Sequence, residues 1–113
     1  RLAEASQLVD EAEALLFDGF DRMLHAVRSG EEIPLIDRVK YRYRAGVVIV
    51  NMMKAIDLLF DVAGGRSVFV GAELQQIWHD IHIARAHVAN NPVGFGRNLG
   101  NMLLGGENKD VFV

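Results

Sequence analysis

The stretch Leu74-Gln75-Gln76-Ile77-Trp78-His79-Asp80-Ile81-His82-Ile83-Ala84-Arg85-Ala86-His87 holds three histidines and an aspartate within nine residues, His79 to His87. Histidine titrates nearest neutral pH, so small changes of surroundings decide whether it gives, takes or holds a proton. Asp80 and His87 are seven residues apart. On one continuous helix that is about two turns, so the two share a face. Leu74, Ile77, Ile81, Ala84 and Val88 form the neighbouring apolar stripe. His87 is therefore expected on the flank of a buried face, able to meet both packed protein and a ligand.

A metal centre is the competing chemistry. Zinc needs ligands that converge on one point. At about 100° per residue, His79 and His82 point away from Asp80 and His87. There is no His-Glu-x-x-His and no Glu-x-x-His of the kind di-iron bundles carry. No metal site is expected. The chain has no Cys, so a thiolate nucleophile, a disulfide framework and a Cys-ligated metal are excluded. Lys40-Tyr41-Arg42-Tyr43-Arg44 interleaves basic and aromatic residues, as single-strand binders do. A net charge of −3 favours the plainer reading, a solvated helical turn whose tyrosine rings pack. Gly96 and Gly100 read as a loose segment, and Asp21 with His25 as a surface pair at i, i+4.

Four helices would carry these residues. Leu2, Val9, Ala12, Leu16, Phe20, Met23 and Val27 recur at helical spacing, and Ser29-Gly30 ends that run. After Pro34 a second helix is predicted over 35–63, apolar on nearly every side between Val47 and Phe60. That pattern asks for neighbours on several sides, including ones beyond this chain's own helices. Ala63-Gly64-Gly65-Arg66-Ser67 breaks the periodicity, and Val68-Phe69-Val70 is too short for a sheet. A third helix is predicted from Ala72 to Ala89, ended by Asn90-Asn91-Pro92, and a weaker fourth from Val93 to Leu104. The expected fold is all-α, an antiparallel four-helix bundle. With 113 residues and 50% hydrophobic composition, the chain has material for one core. Nothing resembles a signal peptide, and no apolar run is long enough to span a membrane. A cytoplasmic protein is expected. Arg1-Leu2-Ala3-Glu4 reads as the inside of a helix that began earlier, so a longer parent chain is expected too.

The Gly64-Gly65-Arg66-Ser67 loop, then Leu74-Gln75-Gln76-Ile77-Trp78-His79-Asp80, then His87 six residues on resembles a known family. It is similar to the C-terminal bundle of flavin-dependent monooxygenases built on the acyl-CoA dehydrogenase fold. These are the oxygenase components of two-component aromatic hydroxylases, such as the 4-hydroxyphenylacetate and seco-steroid hydroxylases. Their pattern is a Gly-Gly loop, Leu-Gln-Arg-x-Trp-Arg-Asp, six residues and a His. Asp80 and His87 match it, whereas Gln76 and His79 stand where the pattern has Arg.

The resemblance implies that residues 1–113 are the C-terminal domain of a longer enzyme, whose N-terminal helical and middle β-barrel domains are absent from this chain. It implies reduced FMN or FAD supplied by a flavin reductase, molecular oxygen and a small aromatic, phenolic substrate. The implied route is a flavin C4a-hydroperoxide. It further implies a homotetramer in which Gly64, Gly65, Arg66 and Ser67 approach a neighbour's flavin. His87 is then the catalytic residue, as general base or as a donor to the peroxide, and Asp80 is structural. No nucleic-acid or membrane partner is implied. Two alternatives stand beside this. An acyl-CoA dehydrogenase would need a carboxylate base, but His87-Val88-Ala89-Asn90 replaces the Tyr-Glu-Gly-Thr that many of them carry. A non-catalytic helical interaction module would use the apolar second helix.

Overall fold

The computed structural model describes residues 1–65 and 72–113. Four α-helices follow one another: α1 (Leu2–Arg28), α2 (Leu35–Ala63), α3 (Glu73–Ala86) and α4 (Pro92–Leu103), with a 3₁₀ turn, Val88–Asn90, between the last two. No strand occurs among the described residues. The all-α expectation holds. Arg66, Ser67 and the Val68–Val70 run lie outside the described residues.

The breaks act where the sequence placed them. After α1, Gly30 takes φ +69° while the Glu31 amide donates to the Ala26 carbonyl at 2.9 Å. Left-handed backbone of this kind suits glycine at a helix end. Pro34 precedes α2 in extended conformation, and its carbonyl accepts from the Asp37 and Arg38 amides. Pro92 occupies the first turn of α4, where its missing N–H leaves no partner unsatisfied.

Helix α2 is the hub, packed against α1, α3, the 3₁₀ turn and α4. Its apolar circumference is thus covered in large part by the chain's own helices. Against α1 the seam is made of small residues: Ala5, Ala12 and Gly19 are buried at heptad spacing, and the Tyr41 ring lies over Gly19. Small side chains let the two backbones approach. The larger apolar residues of α1 then flank the seam, and Leu2, Phe20 and Val27 remain exposed. The stripe expected from periodicity is thus rotated to one side of the real contact.

Against α4 the approach is close at two glycines. A β-carbon on Gly46 would lie 3.1 Å from the backbone of Pro92, and one on Gly96 would lie 2.9 Å from the Tyr43 ring. Gly96 therefore marks tight packing and not a loose segment, while Gly100 has open space beside it. The Lys40–Arg44 stretch serves the fold. Tyr41 and Tyr43 cover glycines, Arg42 lies over the Phe95 ring at 4.4 Å and 3.7 Å from Asp110, and Arg44 is 3.7 Å from Asp18.

The chain is elongated. Its radius of gyration is 16.8 Å, against about 13 Å for a compact chain of this length. It exposes 7705 Å², against about 6,200 Å² for a compact chain of this size. On α1, Phe17, Phe20, Leu24 and Val27 are 47–72% exposed, so the large uncovered apolar surface belongs to α1 and not to α2. Among the described residues no helix is long and apolar enough to cross a membrane.

Candidate functional site

Helix α3 is joined to α2 by a polar and aromatic clasp. None of its residues is fully buried, and Ile77 is 40% exposed. The protected face centres on Trp78. The indole N–H of Trp78 donates to Asp57 Oδ1 at 2.9 Å, its ring stacks on His82 at 4.0 Å, and Phe60 tilts against it at 5.9 Å. His82 Nδ1 is 2.8 Å from the Trp78 carbonyl, which can only accept, so Nδ1 carries a proton and donates. Its Nε2 faces Asp57 Oδ1 at 3.5 Å. The contact with Asp57 is an ion pair only when the ring is protonated, whereas the Nδ1 bond to the Trp78 carbonyl is made in either state. Trp78→Phe keeps the ring packing and removes one hydrogen bond. It should cost about 1 kcal/mol in urea unfolding; no measurable loss would mean the clasp rests on stacking alone.

The motif residues around the clasp fall out differently from the expectation. Asp80 is exposed and its Oδ1 accepts from Gln76 Nε2 at 2.8 Å, one turn back. Gln76 thus holds the Asp80 carboxylate through an uncharged amide donor. His79 is exposed. Among the described residues no group of three or more His, Asp or Glu side chains could hold a metal ion.

His87 is not on the helix. Helix α3 ends at Ala86, and His87 is extended, with φ −67° and ψ 135°. The shared face with Asp80, and a helix running to Ala89, are both overturned. The cause is local. The Asn90 side-chain amide donates to the Ala84 carbonyl at 2.6 Å, and the Asn90 backbone amide donates to the His87 carbonyl at 2.9 Å. The chain is folded back over the helix end, where carbonyls lack intrahelical partners. Asn91 then caps α4, its Oδ1 accepting from the Val93 amide at 3.2 Å. The His87 side chain is exposed, and its Nδ1 accepts from the Ala89 amide at 3.1 Å. A nitrogen that accepts is unprotonated, so the neutral ring carries its proton on Nε2 and presents an N–H outward.

The other expected pieces are the Gly64-Gly65 turn and the residues after it. Gly64 has φ +72° and ψ −163°, a region essentially closed to other residues, and a β-carbon on Gly65 would meet nothing within 4 Å. The Gly64-Gly65 turn closes α2, whereas Pro92, just after the His87 turn, packs on Gly46 in the middle of the same helix, about 27 Å of rise away. One chain therefore does not bring His87 and the Gly-Gly turn together. A groove of about 440 Å³ lies elsewhere, between the end of α1 and the α1–α2 connector, and holds neither of them.

Residues 1–92 match the family model described as acyl-CoA dehydrogenase, C-terminal domain, and the chain belongs to that family. Within it, the chain is 33% identical over 92 residues to the flavin-dependent monooxygenase oxygenase subunit HsaA of Rhodococcus jostii (strain RHA1), covering 81% of this chain and 24% of that one. It is 25% identical over 91 residues to a pigment production hydroxylase of Rhodococcus erythropolis, covering 80% of this chain and 23% of that one. The crystal structure of the HsaA monooxygenase from M. tuberculosis superposes with a TM-score of 0.93 at 29% identity, covering 98% of this chain and 29% of that chain. The 3-HSA hydroxylase of Rhodococcus sp. RHA1 does so with a TM-score of 0.93 at 30% identity and the same coverage. The chain spans about a quarter of the length of the curated relatives it matches. The resemblance to flavin-dependent monooxygenases of this fold is borne out.

Proposed function

We propose that this chain is the C-terminal domain of a reduced-flavin-dependent monooxygenase that hydroxylates a small aromatic, phenolic substrate. The observation that carries the proposal is the outward Nε2–H of His87, in a chain whose relatives include a flavin-dependent oxygenase subunit. The residues present fit a flavin: a glycine turn at the end of α2 with open space at its would-be β-carbons, and an outward N–H donor on His87 after α3. Bound reduced FMN or FAD, delivered by a reductase, supplies the activation of molecular oxygen and its transfer.

The chain's own residues then do two things. His87 donates from Nε2 to an oxygen atom at the reacting end of the site. Its Nδ1 already holds the Ala89 amide, and this favours the donor role over the general base. A proton taken by the neutral ring would have to go to Nδ1 and break that bond. Gly64 and Gly65, with Arg66 and Ser67, lie against the flavin of a neighbouring subunit. The distance of about 27 Å along α2 between this turn and the Gly46–Pro92 contact beside the His87 turn supports two different sites.

The same reading carries a homotetramer, for which the exposed apolar residues of α1 supply surface. The excess of about 1,500 Å² over a compact chain is more than the roughly 800 Å² that one partner contributes to a standard interface. The whole enzyme carries further domains before this one and works in the cytoplasm, where a reductase keeps flavin reduced.

The test is anaerobic titration of the full-length protein with reduced FMN and reduced FAD, followed by oxygen and a phenol. Tight binding and hydroxylated product are expected. A protein that binds neither flavin would be an interaction module, and one that oxidises an acyl-CoA thioester would be a dehydrogenase.

A further inference from the structure

We infer that Asn90 is the positioning residue of His87: by holding the Ala84 carbonyl it stops α3 one residue short of His87 and fixes which ring nitrogen carries the proton. The inference deepens the reading above and rests on it only where it speaks of oxygen transfer.

The competing conformation is visible in the sequence. Helical periodicity continues through Val88 and Ala89, and nothing before Asn91 forbids helix. Pro92 restricts Asn91 and removes the amide that would bond the Val88 carbonyl, but it leaves the Ala89-to-Arg85 helical bond possible. In a continued helix the Ala89 amide would turn to Arg85, four residues back, and would be lost to the ring of His87. His87 Nδ1 would then have no fixed donor, and either nitrogen could carry the proton.

In the structure this does not happen, because the Ala84 carbonyl is occupied from two directions. It accepts from the His87 amide at 3.2 Å and from the Asn90 side chain at 2.6 Å. In a continued helix it would instead take the Val88 amide. The side-chain bond closes a loop from residue 84 to residue 90 and turns the chain away at His87. The Asn90 amide on the His87 carbonyl, at 2.9 Å, completes the turn. Ala89 is then left facing the imidazole at 3.1 Å. The two asparagines do different work. Asn91 accepts from Val93 and starts α4, with no bond to the His87 turn from its side chain. Asparagine at position 90 suits the task because its amide donates. An aspartate has the same shape but only accepts, and would place a carboxylate against a carbonyl.

The experiment reads the ring directly. Nitrogen-15 NMR of the imidazoles of the full-length protein, at a pH where His87 is neutral, should show Nδ1 unprotonated and Nε2 protonated. A protonated Nδ1 in the unaltered protein overturns the inference whatever the variants do. Asn90→Asp and Asn90→Ala should each move the tautomer ratio about three- to tenfold toward that of an unfolded peptide of the same sequence. Asn91→Ala, a comparable loss of a cap, should leave the ring signals unchanged. Wild-type ring signals in a folded Asn90 variant, or equal shifts in Asn91→Ala, would refute the inference. The same variants, loaded with reduced flavin, oxygen and a phenol, separate it from the functional reading. A moved tautomer with unchanged product per oxygen consumed supports the grip of Asn90 on His87 and sinks the role given to His87 in oxygen transfer.

Discussion

His87→Ala should leave reduced flavin bound to the full-length protein and cut hydroxylation by about 10²- to 10³-fold, the usual cost of one preorganised donor. The oxygen that is not transferred should appear as hydrogen peroxide. The reasoning starts from the ring's surroundings. The Nδ1 of His87 is held by the Ala89 amide, so its remaining N–H is aimed before any substrate arrives. A donor fixed in advance needs no reorganisation when charge develops on an oxygen atom. Removing it takes away stabilisation at the reacting atom and little of the flavin's binding energy. A swap to Gln tests the chemistry separately. An amide can donate but cannot act as a base near neutral pH, so His87→Gln should recover part of the lost coupling if donation is the role. Equal rates and equal peroxide yields in His87→Ala and the unaltered enzyme would reduce His87 to a turn residue. A loss in His87→Ala that His87→Gln does not recover at all would restore the general-base reading.

How much of this was legible beforehand depends on how local each cause is. The bounds of α1 and α2 followed from Ser29-Gly30, Pro34 and Gly64, because turn residues act on the backbone next to them. The family pattern from Leu74 to His87 was likewise legible as spacing. The end of α3 was not. Periodicity ran on to Ala89, and the bond that stops the helix, from Asn90 to Ala84, reaches six residues back by a side chain. Asn90 could have been found as a helix stop acting earlier than its own position, since asparagine competes for backbone groups.

The clasp was invisible for a different reason. Asp57 and Trp78 are 21 residues apart on separate helices, and only the packing of α3 on α2 brings them together. The apolar stripe of α3 was right for Leu74, Ile81 and Ala84, which are half-buried, and wrong for Ile77. Trp78 and His82 take the protected face, so Ile77 turns outward although its hydrophobicity alone puts it inside. On α1 the alanines and Gly19 carried the contact, because close approach of backbones can outweigh the size of individual side chains. Gly96 belongs to the same class: a glycine that weakens a helix in isolation is retained where a ring, here Tyr43, needs its space.

Gly46→Val should destabilise the protein by about 2 kcal/mol or more and loosen the turn that holds His87. Gly46 is buried in the middle of α2, and a β-carbon there would sit 3.1 Å from the nitrogen, Cα and Cβ of Pro92. These are backbone and ring atoms at the start of α4, so they cannot rotate aside as the end of a long side chain could. Two opposing terms set the sign. Replacing a helical glycine by a residue with a Cβ gains about 0.5–1 kcal/mol relative to Gly at most, and less for a β-branched residue. Forcing extra carbon into a filled contact costs about 1–3 kcal/mol. Valine adds two methyl groups beyond the tight β-carbon, which puts the cost at the upper end. Gly100→Ala is the matched control: it lies in α4 with nothing within 4 Å of its would-be β-carbon, so only the helical gain applies and stability should rise. Urea unfolding of the two variants should therefore shift in opposite directions. Because Pro92 follows Asn90 by two residues, pushing it away also strains the cap on α3, and Gly46→Val should give more peroxide per oxygen consumed than Gly100→Ala. Two variants shifting together, or Gly46→Val as stable as the unaltered chain, would show that α4 can move away from α2 without cost and that the turn carrying His87 is not anchored through Pro92.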